Sequence, residues 1–175
     1  MTRIPIPPEK FLAKSHSIWD DQWFLLTSGD FQKGHYNTMT VSWGSLGNMW
    51  NRPFAQVVVR PTRYTFSFME QYETFTLCAF PEEHREALNL LGAKSGRDVD
   101  KIAEAGLTPE AASVVAAPCF VEAELVLECK KIYWDDYDPS HFLDPRINDH
   151  YRQNYHRIYF GEILAITGVK HFSRR

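Results

Sequence analysis

From Phe120 to Tyr133 the chain alternates residue by residue. Val121, Ala123, Leu125, Leu127 and Cys129 fall on one side, and Glu122, Glu124, Val126 and Glu128 on the other. Successive strand residues point to opposite faces, so this is the pattern of a long strand with one face buried. A strand of that kind needs antiparallel neighbours and an apolar layer beneath it, and the rest of the chain supplies candidates for both.

Trp23 to Thr27 predicts a buried strand, closed by a Ser28-Gly29-Asp30 turn. In Asn37 to Ser42 the apolar Met39 and Val41 alternate with the hydroxyls of Thr38, Thr40 and Ser42, which predicts a second strand with one packed and one hydrogen-bonding face. Gly44 to Pro53, with two glycines and a proline, predicts a loop with Trp50 against the core. Phe54 to Arg60 is a third strand that Pro61 cannot continue. Tyr64 to Gln71 suits a short helix and Thr74 to Phe80 a fourth strand.

The period then changes. Ala87, Leu88 and Leu91 share one side of Glu82 to Leu91, which predicts an amphipathic helix stopped by Gly92. Asp98 is placed to cap a second short helix running to Ala105 and ended by Gly106. Ile4 to Pro8 is an extended lead-in, Asp135 to Gln153 a polar excursion, and Ile158 to Val169 a last strand bent at Gly161. Strands, a helical insert and two more long strands predict a mainly β antiparallel barrel decorated by helices, not a βαβ repeat. The length predicts one domain over residues 1–175.

Composition narrows the function classes. A formal charge of −3 points to no nucleic-acid or membrane-surface partner. No apolar run is long enough to span a bilayer, and Met1 to Leu12 lacks the apolar stretch of a signal peptide, so the cytoplasm is the expected compartment. Cys78, Cys119 and Cys129 show no paired spacing and are read as buried reduced thiols. The 14% aromatic content suits strands, interfaces and stacking on flat ligands.

Most chemical motifs fail. Gly92-Ala93-Lys94-Ser95 lacks the first glycine and the glycine–lysine adjacency of a phosphate-binding P-loop, and Gly44-Ser45-Leu46-Gly47 is not a dinucleotide fingerprint. Asp136-Tyr137-Asp138 lacks the glycine and terminal glutamate of a calcium loop. His141, His150 and His156 lie near Asp144 and Asp149 without ligand spacing, so no metal site is expected. No residue signals a nucleophile.

Three segments remain. Asn37 to Trp43 offers hydroxyls and an amide to the polar edge of a ring, or is a sheet face open to water. Arg60-Pro61-Thr62-Arg63-Tyr64-Thr65 gathers cations and hydroxyls at the start of a helical turn, which suits a phosphate, or else pairs with Glu70 and Glu73. Lys94-Ser95-Gly96-Arg97-Asp98-Val99-Asp100-Lys101 brings three cations and a glycine to a turn between helices, as an anion site or a solvated cap.

Asn37-Thr38-Met39-Thr40-Val41-Ser42-Trp43, Val59-Arg60-Pro61-Thr62-Arg63-Tyr64-Thr65 and the Lys94 to Lys101 segment, in this order, resemble the flavin reductase-like proteins of the FMN-binding split-barrel fold, in their flavoredoxin-like branch. Tyr155 to Ile163 resembles that family's late strand, with a histidine followed by Gly161-Glu162. The resemblance spans Gln22 to Lys170. It implies a six-stranded antiparallel split barrel, a homodimer and non-covalent FMN. By the same resemblance Asn37, Thr38, Met39 and Thr40 line the ring and ribityl chain, continued by Ser42 and Trp43. Arg60, Thr62, Arg63 and Thr65 fall among the phosphate contacts. Lys94, Ser95, Gly96, Arg97 and Lys101 form the second basic segment, beside the phosphate or a nicotinamide substrate, and His156 lies near the ring as the one candidate catalytic residue. The Asp135 to Gln153 excursion is long for this branch and is placed to cover or reshape the substrate mouth.

The activity so implied is an FMN-dependent oxidoreductase that takes electrons from NAD(P)H or a protein donor and passes them to a redox partner or a monooxygenase. The alternative is a flavin-binding protein without turnover: an electron carrier, a flavin store or a sensor.

Overall fold

The computed structural model describes residues 2–174; the two terminal residues of the expected 1–175 domain lie outside them. In chain order the strands are β1 (Ile4–Pro5), β2 (Phe24–Asp30), β3 (His35–Val41), β4 (Gly44–Met49), β5 (Arg52–Val59), β6 (Thr74–Ala79), β7 (Pro109–Glu110), β8 (Cys119–Phe120), β9 (Leu125–Asp136) and β10 (Arg157–Gly168). The α-helices are α1 (Tyr64–Gln71), α2 (Arg85–Ala93) and α3 (Lys101–Glu104).

The main sheet runs β3-β2-β6-β9-β10-β5-β4, with every pairing antiparallel. Six strands were expected; β4 extends the path beyond them, and β1 pairs with the far end of β10. The path is not closed by hydrogen bonds, since β3 and β4 end it. Its concave face buries Phe24, Leu26, Met39, Val57, Val59, Phe75, Leu77, Leu127 and Tyr159 in one core. Leu25, Cys78 and Val126 alternate to the opposite face, where α2 covers them with Leu88 and Leu91. Both faces are thus dry around β2, which explains its unbroken apolar run.

Several local expectations are corrected. Ser28-Gly29-Asp30 is not a turn: β2 continues through it, pairing Ser28 with Asn37, and the chain turns at Phe31 to Gly34. Gly29 adopts φ 137°, and a Cβ there would strike the Tyr36 backbone, so glycine is needed for close strand approach and not for reversal. Gly44 to Pro53 is not a loop but most of a hairpin, β4 and β5, whose turn places Trp50 and Asn51 at positive φ. Trp50 is 57% exposed there and not tucked into the core.

The strand foreseen from Phe120 to Tyr133 is broken. Cys119–Phe120 pairs with β7, the chain turns through Val121 to Glu124, and β9 starts at Leu125 and runs on to Asp136. The cap of the short helix is Asp100, not Asp98: its carboxylate accepts from the Ala103 N–H at 3.2 Å. α2 runs one residue past Gly92, after a 3₁₀ turn at Glu82–His84. At Gly161 the β9–β10 register shifts, which is the bend expected there. No helix among the described residues is long and apolar enough to cross a membrane.

Candidate functional site

Two adjoining clefts open where β3, the end of β5, α1 and the α2–α3 turn meet. Met39, at the middle of β3, lines both. One cleft, of about 120 Å³, is lined by Asn37, Thr62, Arg63, Tyr64, Thr65, Lys94, Ser95, Arg97 and Lys101. The other, of about 170 Å³, is lined by Thr40, Ser42, Trp43, Val58, Arg60 and His156.

The first cleft has the chemistry of an anion site. Arg63 occupies the N-cap position of α1 in extended conformation, with no side-chain cap and no acidic residue in the first turn. The Tyr64 and Thr65 N–H groups therefore find no acceptor among the described residues. The Asn37 amide donates to Thr65 Oγ1 at 2.8 Å, which leaves the Thr65 proton free to point outward. Gly96 packs so close that a Cβ would fall on Asn37 Oδ1. Arg97 stacks on the Tyr64 ring at 4.8 Å and donates to the Thr62 carbonyl at 3.4 Å. Its own N–H is held by Ser95 Oγ at 3.2 Å.

Lys101 is 3% exposed and donates to the Leu91 and Lys94 carbonyls, both at 3.0 Å, while Arg63 donates to the Gly92 carbonyl. The two cations thereby cap the C-terminal end of α2. Burial, and then the Arg63 charge, bring the Lys101 pKa down to about 8. Burial, and then the Arg60 charge, lower that of Arg63. Arg60, Arg63, Arg97 and Lys101 form no ion pair with a carboxylate among the described residues. Lys94 is different: it pairs with Glu104.

Arg60 does not join that cradle. The chain turns after β5, with the Arg63 N–H bonded to the Arg60 carbonyl at 3.0 Å, so the two guanidinium groups leave toward different clefts. Arg60 Nε donates to His156 Nε2 at 3.4 Å and Nη2 to the His150 carbonyl at 2.9 Å. His156 Nε2 is then the acceptor nitrogen, and Nδ1 carries the proton toward the Tyr151 oxygen at 2.9 Å. Burial, and then Arg60, push the His156 pKa down to about 4, so the ring is neutral.

The hydroxyl wall is partly spent on the fold. Thr38 is fully buried: its hydroxyl donates to the Leu26 carbonyl at 3.0 Å and stands 2.9 Å from Thr27 Oγ1. Thr40 donates to the Leu88 carbonyl at 2.5 Å. Asn37, Met39, Thr40, Ser42 and Trp43 do line the clefts. Tyr64, Tyr151 and His150 were not foreseen. The last two belong to the excursion, where no periodicity marks which side chain turns inward. Burial pushes the thiols up, Cys119 to about 12, so none is a thiolate near neutral pH.

Larger hollows lie elsewhere. One of about 540 Å³ lies between Leu12, Ile18 and Phe172. Another, of about 640 Å³ behind the α2–α3 turn, shares Asn37, Arg97 and Lys101 and is also lined by Asp98 and Asp100.

Residues 22–173 match the family model described as "Flavin reductase like domain". The chain belongs to the flavin reductase-like family. No curated protein matches its sequence. Among solved structures, an FMN-binding domain of a flavin reductases-like enzyme from Shewanella baltica is similar with a TM-score of 0.68 at 17% identity, over 95% of this chain and 77% of that one. Flavoredoxin of Desulfovibrio vulgaris gives 0.67 at 22% identity, over 91% and 73%. A 2-nitrobenzoate 2-nitroreductase of Pseudomonas fluorescens gives 0.65 at 16% identity, over 91% and 74%. Likeness at these identities is a likeness of fold.

Proposed function

We propose that the chain binds FMN non-covalently and acts as an oxidoreductase, with NAD(P)H or a protein as donor and a redox partner or a monooxygenase as acceptor. The observation that carries this reading is the run of uncompensated cations Lys101, Arg63 and Arg97 around the open N-terminus of α1, beside a wall of Asn37, Met39 and Thr40. A dianionic phosphate relieves their mutual repulsion and accepts from the free N–H groups. When bound, FMN supplies reversible uptake of a hydride or of single electrons. The residues of this chain hold and orient it: Asn37 fixes Thr65, Lys101 fixes the α2–α3 turn, and the neutral His156 faces the ring-side cleft. Trp43 shields one side of that cleft. A homodimer, as in the family the sequence resembles, belongs to the same proposal.

An absorption spectrum of the purified protein, followed by anaerobic titration with NADH, tests the reading. We expect a flavin band that NADH or NADPH bleaches. A bound flavin that neither nicotinamide bleaches leaves the non-catalytic carrier, store or sensor. A protein that stays colourless after incubation with FMN defeats both.

Lys101 gives the site a pH signature. In the flavin-free fold it loses its charge as pH rises through about 8, whereas a bound phosphate holds it protonated. FMN binding then takes up a proton above that value. FMN affinity should fall by about tenfold between pH 7 and pH 9, with riboflavin flat as the control. The folded value lies below the ordinary 10.5, so the flavin-free fold gains stability over the same rise. An FMN affinity independent of pH over this range would remove Lys101 from the phosphate site.

A further inference from the structure

Arg60 is a half-buried cation with unspent donors. Of its five N–H groups, one goes to His156 and one to the His150 carbonyl, and no carboxylate among the described residues answers its charge. The groups around it hold it still and do not neutralise it. The Tyr151 ring lies 5.3 Å from the guanidinium carbon, and the Tyr151–His156 hydrogen bond fixes the tautomer whose Nε2 accepts from Arg60. Trp43, 44% exposed, lies 5.4 Å from both the His150 and His156 rings and shares the cleft with Arg60. Among the described residues no Asp or Glu lines that cleft.

A held guanidinium and a partly exposed indole that line one cleft suit a planar anion. The guanidinium takes the two oxygens of a carboxylate, and the indole takes the ring that carries it. We propose that Arg60 and Trp43 form a binding subsite for an aromatic carboxylate, with Tyr151 and His156 as positioning residues that aim the guanidinium. The small molecule admitted to the ring-side cleft is thus an arene carboxylate and not a neutral arene. Its place as the substrate of the flavin rests on the reading above; the preference for an anion rests on Arg60 alone.

The test is calorimetric titration of the protein, with and without FMN, using benzoate and its neutral isostere benzamide. Benzoate should bind at least about tenfold more tightly than benzamide in both forms, since a charge-assisted pair is the difference between them. Arg60→Met should abolish that preference. Trp43→Ala, on an exposed side chain, should weaken both ligands and keep their ratio. Tyr151→Phe should weaken benzoate severalfold and leave benzamide unchanged. Equal binding of the two ligands, no binding of benzoate, or a preference that survives Arg60→Met overturns the proposal. A protein that takes no FMN but keeps the benzoate preference ends the flavin reading and leaves this one standing.

Discussion

The Arg63→Ala, Arg97→Ala double variant is expected to bind FMN at least about a hundredfold more weakly than the native protein, while riboflavin affinity changes by less than about threefold. Hydrogen bonds to a charged group contribute about 1.5–3 kcal/mol each, and two are removed. Neither arginine is paired to a carboxylate among the described residues, so no buried acid there is orphaned by the change. Arg63 does release the Gly92 carbonyl, but Lys101 still caps the neighbouring Leu91 and Lys94 carbonyls, so α2 keeps its end. Fluorescence titration with the two flavins reads the outcome directly. Parallel loss of both would mean that the cradle supports the ring and not the phosphate. Arg60→Ala is the internal contrast: Arg60 lines the other cleft, so the ratio of FMN to riboflavin affinity should stay at the native value.

Gly161→Val should destabilise the fold by about 3 kcal/mol or more, at the upper end of what overpacking a core costs. A Cβ at this position would lie 2.6 Å from Phe75 Cε1 and 3.0 Å from Cys129 Cβ. Phe75 and Cys129 are fully buried and have nowhere to retreat. The β-propensity gained by replacing glycine with valine is worth at most about 1 kcal/mol and does not offset the clash. Denaturant unfolding measures the difference. A midpoint unchanged from the native protein would show that β10 can shift its register past the bend at little cost.

Helix α1 was legible to the residue because Pro61 and Thr62 isolate it from β5 and its composition is local in effect. The β4–β5 hairpin was not. Gly44, Gly47 and Pro53 look like breakers, yet β4 is an edge strand where glycine is tolerated, and Pro53 opposite Asn48 does not interrupt a central ladder. The alternation from Val121 to Glu124 imitated a strand. Tertiary contacts override it: Arg3 reaches the Phe120 carbonyl at 2.9 Å, and Gln22 donates to Glu124 across the sheet. In the site, Asn37 to Trp43, Thr62 to Thr65 and Lys94 to Lys101 were visible because each is a short continuous motif. The separation of Arg60 from Arg63 was not, since it depends on which way a turn sends two side chains three residues apart. Tyr151 was hidden because an irregular loop carries no periodic signal.

The excursion between β9 and β10 begins and ends at one place. Asp136 and Arg157 face each other across the ladder and are joined by two hydrogen bonds, at 2.7 and 2.8 Å. Tyr137 to His156 loop out from that clasp and are tied to Arg60, just after β5, through the His150 carbonyl and the His156 ring. The chain therefore separates two kinds of parts. The cradle at α1 is built from β3, α1 and the α2–α3 turn, all parts of the framework. His150 and Tyr151, which flank Arg60, sit on that loop, so replacing the loop should alter the surroundings of Arg60 and leave the cradle at α1 as it is.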